Sequence, residues 1–196
     1  MKRDFSCESA ANSLLRVCRA TTGRLRGFLY RRLWMFADGT KTGIVFGAHP
    51  RLLNTKAMQF GQSVHFGLMA RLECYGGMGP GGEPRLRVGD GTSFGDYCHI
   101  GAANKVVIGR HVLGASGILI LDHSHGNPKE DLIKDNVINP KMRGLMSRGE
   151  IVVGDNVWIG EGAIILAGSR IGEAAIIAAR AIVRGEVPAR SIYYGE

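Results

Sequence analysis

The run Asp122-His123-Ser124-His125 places two imidazoles and a carboxylate side by side. Imidazole titrates near neutral pH, so it can take a proton from a weakly acidic hydroxyl while that oxygen attacks an electrophile. A neighbouring carboxylate can orient such a ring, although an acid beside a histidine is often merely a turn residue. The other histidines, His49, His65, His99 and His111, stand in turns or side columns of a repeat and read as surface or wall. Cys7, Cys18, Cys74 and Cys98 form no C-x-x-C pair, which argues against a disulfide framework or a zinc knuckle. Reduced thiols in a cytoplasmic protein are the simple reading.

The elements that must position these groups follow a period of six. Val153, Ile159, Ile165, Ile171, Ile177 and Val183 form one column, and a glycine follows three of them. Two residues earlier runs a second column, Ile151, Val157, Ala163, Ser169, Ala175 and Ala181, small or apolar throughout. The same phase returns upstream at Phe60, Phe66 and Leu72, at Val88, Phe94 and Ile100, and after a slip at Ile108 with Ile118 and Ile120 in support. Phe46-Gly47 with Leu52 makes a first rung. Period six is neither a helix nor an uninterrupted strand. It describes a short strand and a turn, repeated, with residues i and i−2 facing one interior and the glycine at a place a Cβ would obstruct. The implied fold is an all-β solenoid in which each coil buries its column against its neighbours.

Two segments leave the period. Gly76 to Pro84 is a glycine-rich loop, and a longer excursion over 126–149 begins directly after the histidine pair. Loops that interrupt a solenoid commonly shape a binding surface. Residues 1–43 read as a separate segment, with Leu14, Cys18, Leu25, Leu29, Leu33 and Phe36 at helical spacings. Residues 1–34 hold eight basic and two acidic side chains, six of the chain's net eight positive charges. An arginine-rich amphipathic helix over 1–36 is expected to cap the solenoid, to lie on an anionic membrane, or both. Nucleic-acid binding is not expected, because no recognition motif or interleaved aromatic pattern accompanies the charge. No apolar run is long enough to span a bilayer; the best, around 174–183, is cut by Arg180.

The stretch 151–191, with Asn156-Val157-Trp158-Ile159-Gly160 as its most specific element, resembles the hexapeptide-repeat O-acetyltransferases that act on sugars. Ile118 to Gly126, ILILDHSHG, resembles the D-H-x-H-G of the branch that modifies bacterial surface polysaccharides. The likeness covers about residues 44–192. It implies a left-handed parallel β-helix domain over 44–196, usually a homotrimer, with active sites between adjacent subunits. It implies acetyl-CoA as co-substrate, a sugar or glycan hydroxyl as acceptor, and no metal.

By resemblance His123 is the general base, with His125 the runner-up and Asp122 an orienting group. Trp158 would line the coenzyme A tunnel, or pack at the trimer contact. Gly160, Ala178 and Ala179 match positions whose backbone approaches coenzyme A. Arg184 would serve the nucleotide phosphates, since Gly185 stands where the family has lysine. Gly95-Asp96 occupies the region of the family's acceptor-binding asparagine, which makes Asp96 a candidate acceptor contact. The family's usual tail is missing after Gly195-Glu196, so either coenzyme A binding differs or the sequence is shortened. Two other readings stay open: a non-catalytic scaffold, and a γ-class carbonic-anhydrase-like enzyme holding zinc through His99, His123 and His125.

Overall fold

The structure, a computed structural model, describes residues 43–127 and 139–195. The helical segment expected over 1–36 lies outside the described residues, as does the middle of the long excursion.

Three short strands make each coil. The first coil holds β1 (Val45–Phe46), β2 (Arg51–Leu53) and β3 (Met58–Phe60); the second β4 (His65–Phe66), β5 (Arg71–Cys74) and β6 (Leu86–Val88). The third comprises β7 (Ser93–Phe94), β8 (His99–Ala102) and β9 (Val106–Ile108). The fourth starts with β10 (Leu113–Gly114) and β11 (Leu119–Leu121). It leaves the solenoid as β12 (His123–His125) and β13 (Leu145–Ser147), then closes with β14 (Ile151–Val153). The fifth contains β15 (Trp158–Ile159), β16 (Ile164–Leu166) and β17 (Arg170–Ile171), and the sixth β18 (Ile176–Ile177), β19 (Ile182–Val183) and β20 (Glu186–Val187). A last strand, β21 (Ile192–Tyr193), opens a seventh.

Corresponding strands stack in parallel into three sheets: A with β1, β4, β7, β10, β15, β18 and β21; B with β2, β5, β8, β11, β16 and β19; C with β3, β6, β9, β14, β17 and β20. The result is the left-handed parallel β-helix that the period implies. Both columns read from the sequence face its interior: every member from Ile151 to Val183 is buried. Ser169 is the polar exception, and its hydroxyl donates to the carbonyl of Val183. In sheet A the rings of Phe46, Phe66 and Phe94 stack at 5.3 and 5.7 Å. The stack ends at Gly114, where a Cβ would sit 2.3 Å from the Phe94 ring.

The repeat glycines earn their place by close approach. A Cβ on Gly47, Gly89, Gly154 or Gly160 would lie 2.5–2.8 Å from backbone atoms of the next coil. The left-handed turn residue comes two positions later, as in Asn156 after Gly154, at φ 60°.

Both long insertions leave the same corner, between sheets B and C. The glycine-rich loop joins β5 to β6, and the long excursion joins β11 to β14. An antiparallel ladder pairs His123 with Ser147 and His125 with Leu145, so the excursion is closed at its base.

Candidate active site

Asp122 is the first residue beyond β11 and is fully buried. Its two carboxylate oxygens accept the backbone N–H groups of Ala103 (2.7 Å) and Asn104 (2.8 Å) in the coil before. The carbonyls of those same two residues accept from the Arg85 guanidinium, which also donates to the Gly77 carbonyl at 2.8 Å. The turn is thus clamped between a buried anion and a cation, and the glycine-rich loop is tied to it.

One Asp122 oxygen also lies 3.0 Å from Nδ1 of His123. With the proton on Nδ1 donated to that carboxylate, Nε2 presents a lone pair, the tautomer a general base requires. The His123 side chain is 9% exposed. It lies over Gly101, whose Cβ would come within 2.9 Å of its Cε1. Tyr75 walls the ring on one side. His125, by contrast, is exposed, with Nδ1 3.4 Å from the Arg143 carbonyl and no acid against it in the ladder. The geometry distinguishes two histidines that the sequence presents as near equivalents.

Sequence reasoning missed the polar group beside His123. Glu73 points outward from β5, as Arg71 does, yet is only 1% exposed, because four donors close over its carboxylate. These are Arg51 Nε (3.0 Å), Arg71 Nη2 (2.9 Å), the Tyr75 hydroxyl (2.8 Å) and His99 Nε2 (3.1 Å). Burial alone would raise the Glu73 carboxyl, but hydrogen bonds from Arg71 and Tyr75 outweigh it and hold the group below its ordinary value. His99 is held below its ordinary value by burial and by Arg71. Expected to be plain wall, His99 is one member of this cluster. Its register pairs it with Arg71 and Leu119, a pairing that coils of unequal length hide in the sequence.

The remaining expected site residues fall elsewhere. Gly160, Ala178 and Ala179 lie at the corner between sheets A and B, where the Gly160 N–H donates to the Ile177 carbonyl. The coil stacking above already demands glycine at 160, so its small size is not by itself a sign of a cofactor. Ala178 is half-buried, Ala179 exposed, and Trp158 stands on the outer face of sheet A, 51% exposed. Arg184 is exposed at the corner between sheets B and C, two coils beyond His123.

Asp96 lies at the corner between sheets A and B, where its carboxylate accepts the Leu68 N–H at 2.7 Å. Asp90 and Asp155 do the same for Gln62 and Arg110. Asp96 therefore braces a turn in the same way as these two aspartates. Cys74 and Cys98 are buried, their thiols pushed up to about 12 by burial, which makes them poor nucleophiles at neutral pH. Among the described residues no three His, Cys, Asp or Glu side chains are grouped to hold a metal ion. The nitrogens of His99 and His123 that the structure engages turn to Glu73 and Asp122 instead.

A family model described as bacterial transferase hexapeptide (six repeats) matches residues 150–185. WbbJ of Escherichia coli K12, provisionally named a lipopolysaccharide-biosynthesis O-acetyl transferase, is 34% identical over 143 residues, covering 72% of this chain and 69% of that protein. A Mycobacterium tuberculosis protein named a probable acetyltransferase is 28% identical over 153 residues, covering 78% of this chain and 45% of its own length. A point mutant of AntD, an N-acyltransferase from Bacillus cereus solved with dTDP and coenzyme A, superposes with a TM-score of 0.63 at 15% identity, over 79% of this chain and 77% of that one. That last likeness is one of fold. The chain belongs to the hexapeptide-repeat O-acetyltransferases.

Proposed function

We propose that the chain transfers an acetyl group from acetyl-CoA to a sugar hydroxyl in surface-polysaccharide or lipopolysaccharide biosynthesis, with His123 as general base. The observation that carries this reading is the Asp122–His123 pair. A buried carboxylate holds Nδ1 and leaves Nε2 for a substrate proton, at the mouth of a loop able to contact an acceptor. The substrate class follows from similarity to WbbJ.

Acetyl-CoA supplies a thioester carbonyl when bound. A sugar hydroxyl is too weakly acidic to ionise at neutral pH, so it must lose its proton as it attacks. The hydroxyl proton passes to His123 Nε2 while the oxygen bonds to the thioester carbon. The carbon–sulfur bond then breaks, and the departing thiolate takes the proton from Nε2. Asp122 keeps the ring in one tautomer throughout and stabilises the transient imidazolium.

Trp158, Gly160, Ala178 and Ala179 are the residues we assign to the coenzyme. They stand at a different corner of the triangular section from His123, so one chain does not bring the two halves together. A second copy setting its A–B corner against the first copy's B–C corner would do so, which supports a homotrimer with shared sites. Leu113, Trp158, Ile176 and Ile192 form a register-matched apolar stripe on sheet A that such packing could cover. An acetyl-CoA donor supports a cytoplasmic location, at the inner face of the membrane where the acceptor is lipid-borne. The arginine-rich segment 1–36 suits an acceptor carried on membrane lipid. Among the described residues no helix is long and apolar enough to cross a membrane.

Calorimetric titration with acetyl-CoA, followed by a transfer assay on glycan acceptors, tests the reading. Saturable binding near one site per subunit, with turnover abolished in His123→Ala, is the expected result. No binding by the parent protein would overturn it and leave a scaffold.

A further inference from the structure

The outer face of sheet B changes character at His123. Towards the later coils it is aliphatic, with Leu119, Ile164 and Ile182 in one register column and Leu121 and Leu166 in the next. Towards the earlier coils the same columns carry Arg51, Arg71 and His99, and Leu53, Glu73 and Gly101. The polar half begins where the His123 ring lies over Gly101.

Glu73 gathers this half. Arg71, the Tyr75 hydroxyl and His99 Nε2 converge on its Oε2, and Arg51 pairs with Oε1. Each guanidinium carries five N–H donors, of which these contacts use one. The Arg51 side chain is 69% exposed and that of Arg71 43% exposed, so both remain accessible to a ligand even though Arg71 Nε is buried. Two guanidinium charges against one carboxylate leave a surplus of one positive charge. Burying a carboxylate is costly before its partners offset it. That cost has a use if Glu73 fixes the two arginines in advance for a ligand.

We propose that Arg51 and Arg71, both paired with Glu73, bind an anionic group of the acceptor, a phosphate or a carboxylate, while its hydroxyl lies at His123. This rests on the assignment of His123 as the base. Arg71 is two coils from the coil of His123, a separation of about 10 Å at ordinary strand spacing. One sugar ring bearing a phosphate or carboxylate covers that span, and forked guanidinium donors match both anions.

The test needs no turnover. The ring resonances of His99 and His123 are followed by NMR as the parent protein is titrated with inorganic phosphate and, separately, with acetate. Saturable shifts are expected, and the tighter anion names the group. Arg51→Ala and Arg71→Gln should each weaken binding about tenfold or more, the usual loss for a hydrogen bond to a charged group. Arg110→Ala, at an exposed ion pair with Asp155 on another corner, should bind as the parent does. Unsaturable shifts, or arginine variants that bind as tightly as the parent, would overturn the proposal. Acetyl-CoA is titrated in parallel. Coenzyme binding without anion binding sinks the subsite alone, and anion binding without coenzyme binding sinks the acyl-transfer reading alone.

Discussion

The ring of Tyr75 meets the ring of His123 edge-on, with centroids 4.8 Å apart and planes inclined at 65°. Its hydroxyl donates to Glu73 at 2.8 Å. A residue just beyond β5 of the second coil therefore fixes the imidazole of the fourth from the side, while Asp122 fixes it at Nδ1. The two supports can be separated by substitution.

Tyr75→Phe keeps the wall and removes the bond to Glu73, so kcat is expected to fall less than tenfold. Tyr75→Ala removes the ring, and an imidazole free to tilt should cost about 10- to 100-fold. Steady-state kinetics on the two variants would tell the roles apart. Equal losses would mean that the hydroxyl, not the ring, is what His123 needs.

Asp122→Asn places an amide NH2 among N–H donors that now meet two carboxylate oxygens. A buried donor left without an acceptor costs about 1–3 kcal/mol, which chemical denaturation would read. Loss of the charge behind Nδ1 should also lower kcat about 100-fold, within the range that general-base catalysis supplies. A variant destabilised by this amount but active within twofold of the parent would reduce Asp122 to a turn residue.

These supports explain what the sequence could reveal. A solenoid column is legible because its period puts each aliphatic on one buried face, and even Ser169 keeps the phase. D-H-S-H was visible because it interrupts that phase. The cluster around Glu73 was not, since it joins positions 51, 71, 73, 75, 99 and 123 through coils of unequal length. The glycine-rich loop alone sets adjacent partners 28 rather than 20 residues apart: Arg71 lies opposite His99, whereas Arg51 lies opposite Arg71. Asp96, placed by resemblance near an acceptor, also makes the backbone bond that Asp90 and Asp155 make in other turns of the repeat.

Acid should destabilise the fold through two groups in that cluster. Glu73 lies below its ordinary value in the folded state, so its contribution is present above the unfolded carboxyl value and disappears as pH falls through the lowered one. His99 also lies below its ordinary value, so the unfolded chain takes up its proton first as pH drops below about 6.5. Both effects have one sign. Denaturant midpoints should decline from pH 7 downward, first through His99 and then below the ordinary carboxyl range through Glu73. In His99→Gln the first part of the decline should vanish; an unaltered profile would show that His99 titrates alike in both states.

The separation of His123 from Ala178 and Ala179 onto different corners gives the sharpest test of a shared site. Ala179 is exposed, so Ala179→Arg should fold while obstructing the surface we assign to the coenzyme. His123→Ala and Ala179→Arg homo-oligomers are both expected to be inactive. If each site takes its base from one copy and its coenzyme surface from the next, refolding the two variants together in equal amounts joins intact halves at random. About a quarter of the sites then carry both, and about a quarter of parental activity returns. A site contained within one chain predicts no recovery, because every chain in the mixture carries one of the two lesions. Measuring kcat per subunit in the mixture, with sedimentation to establish that mixed oligomers form, decides between them.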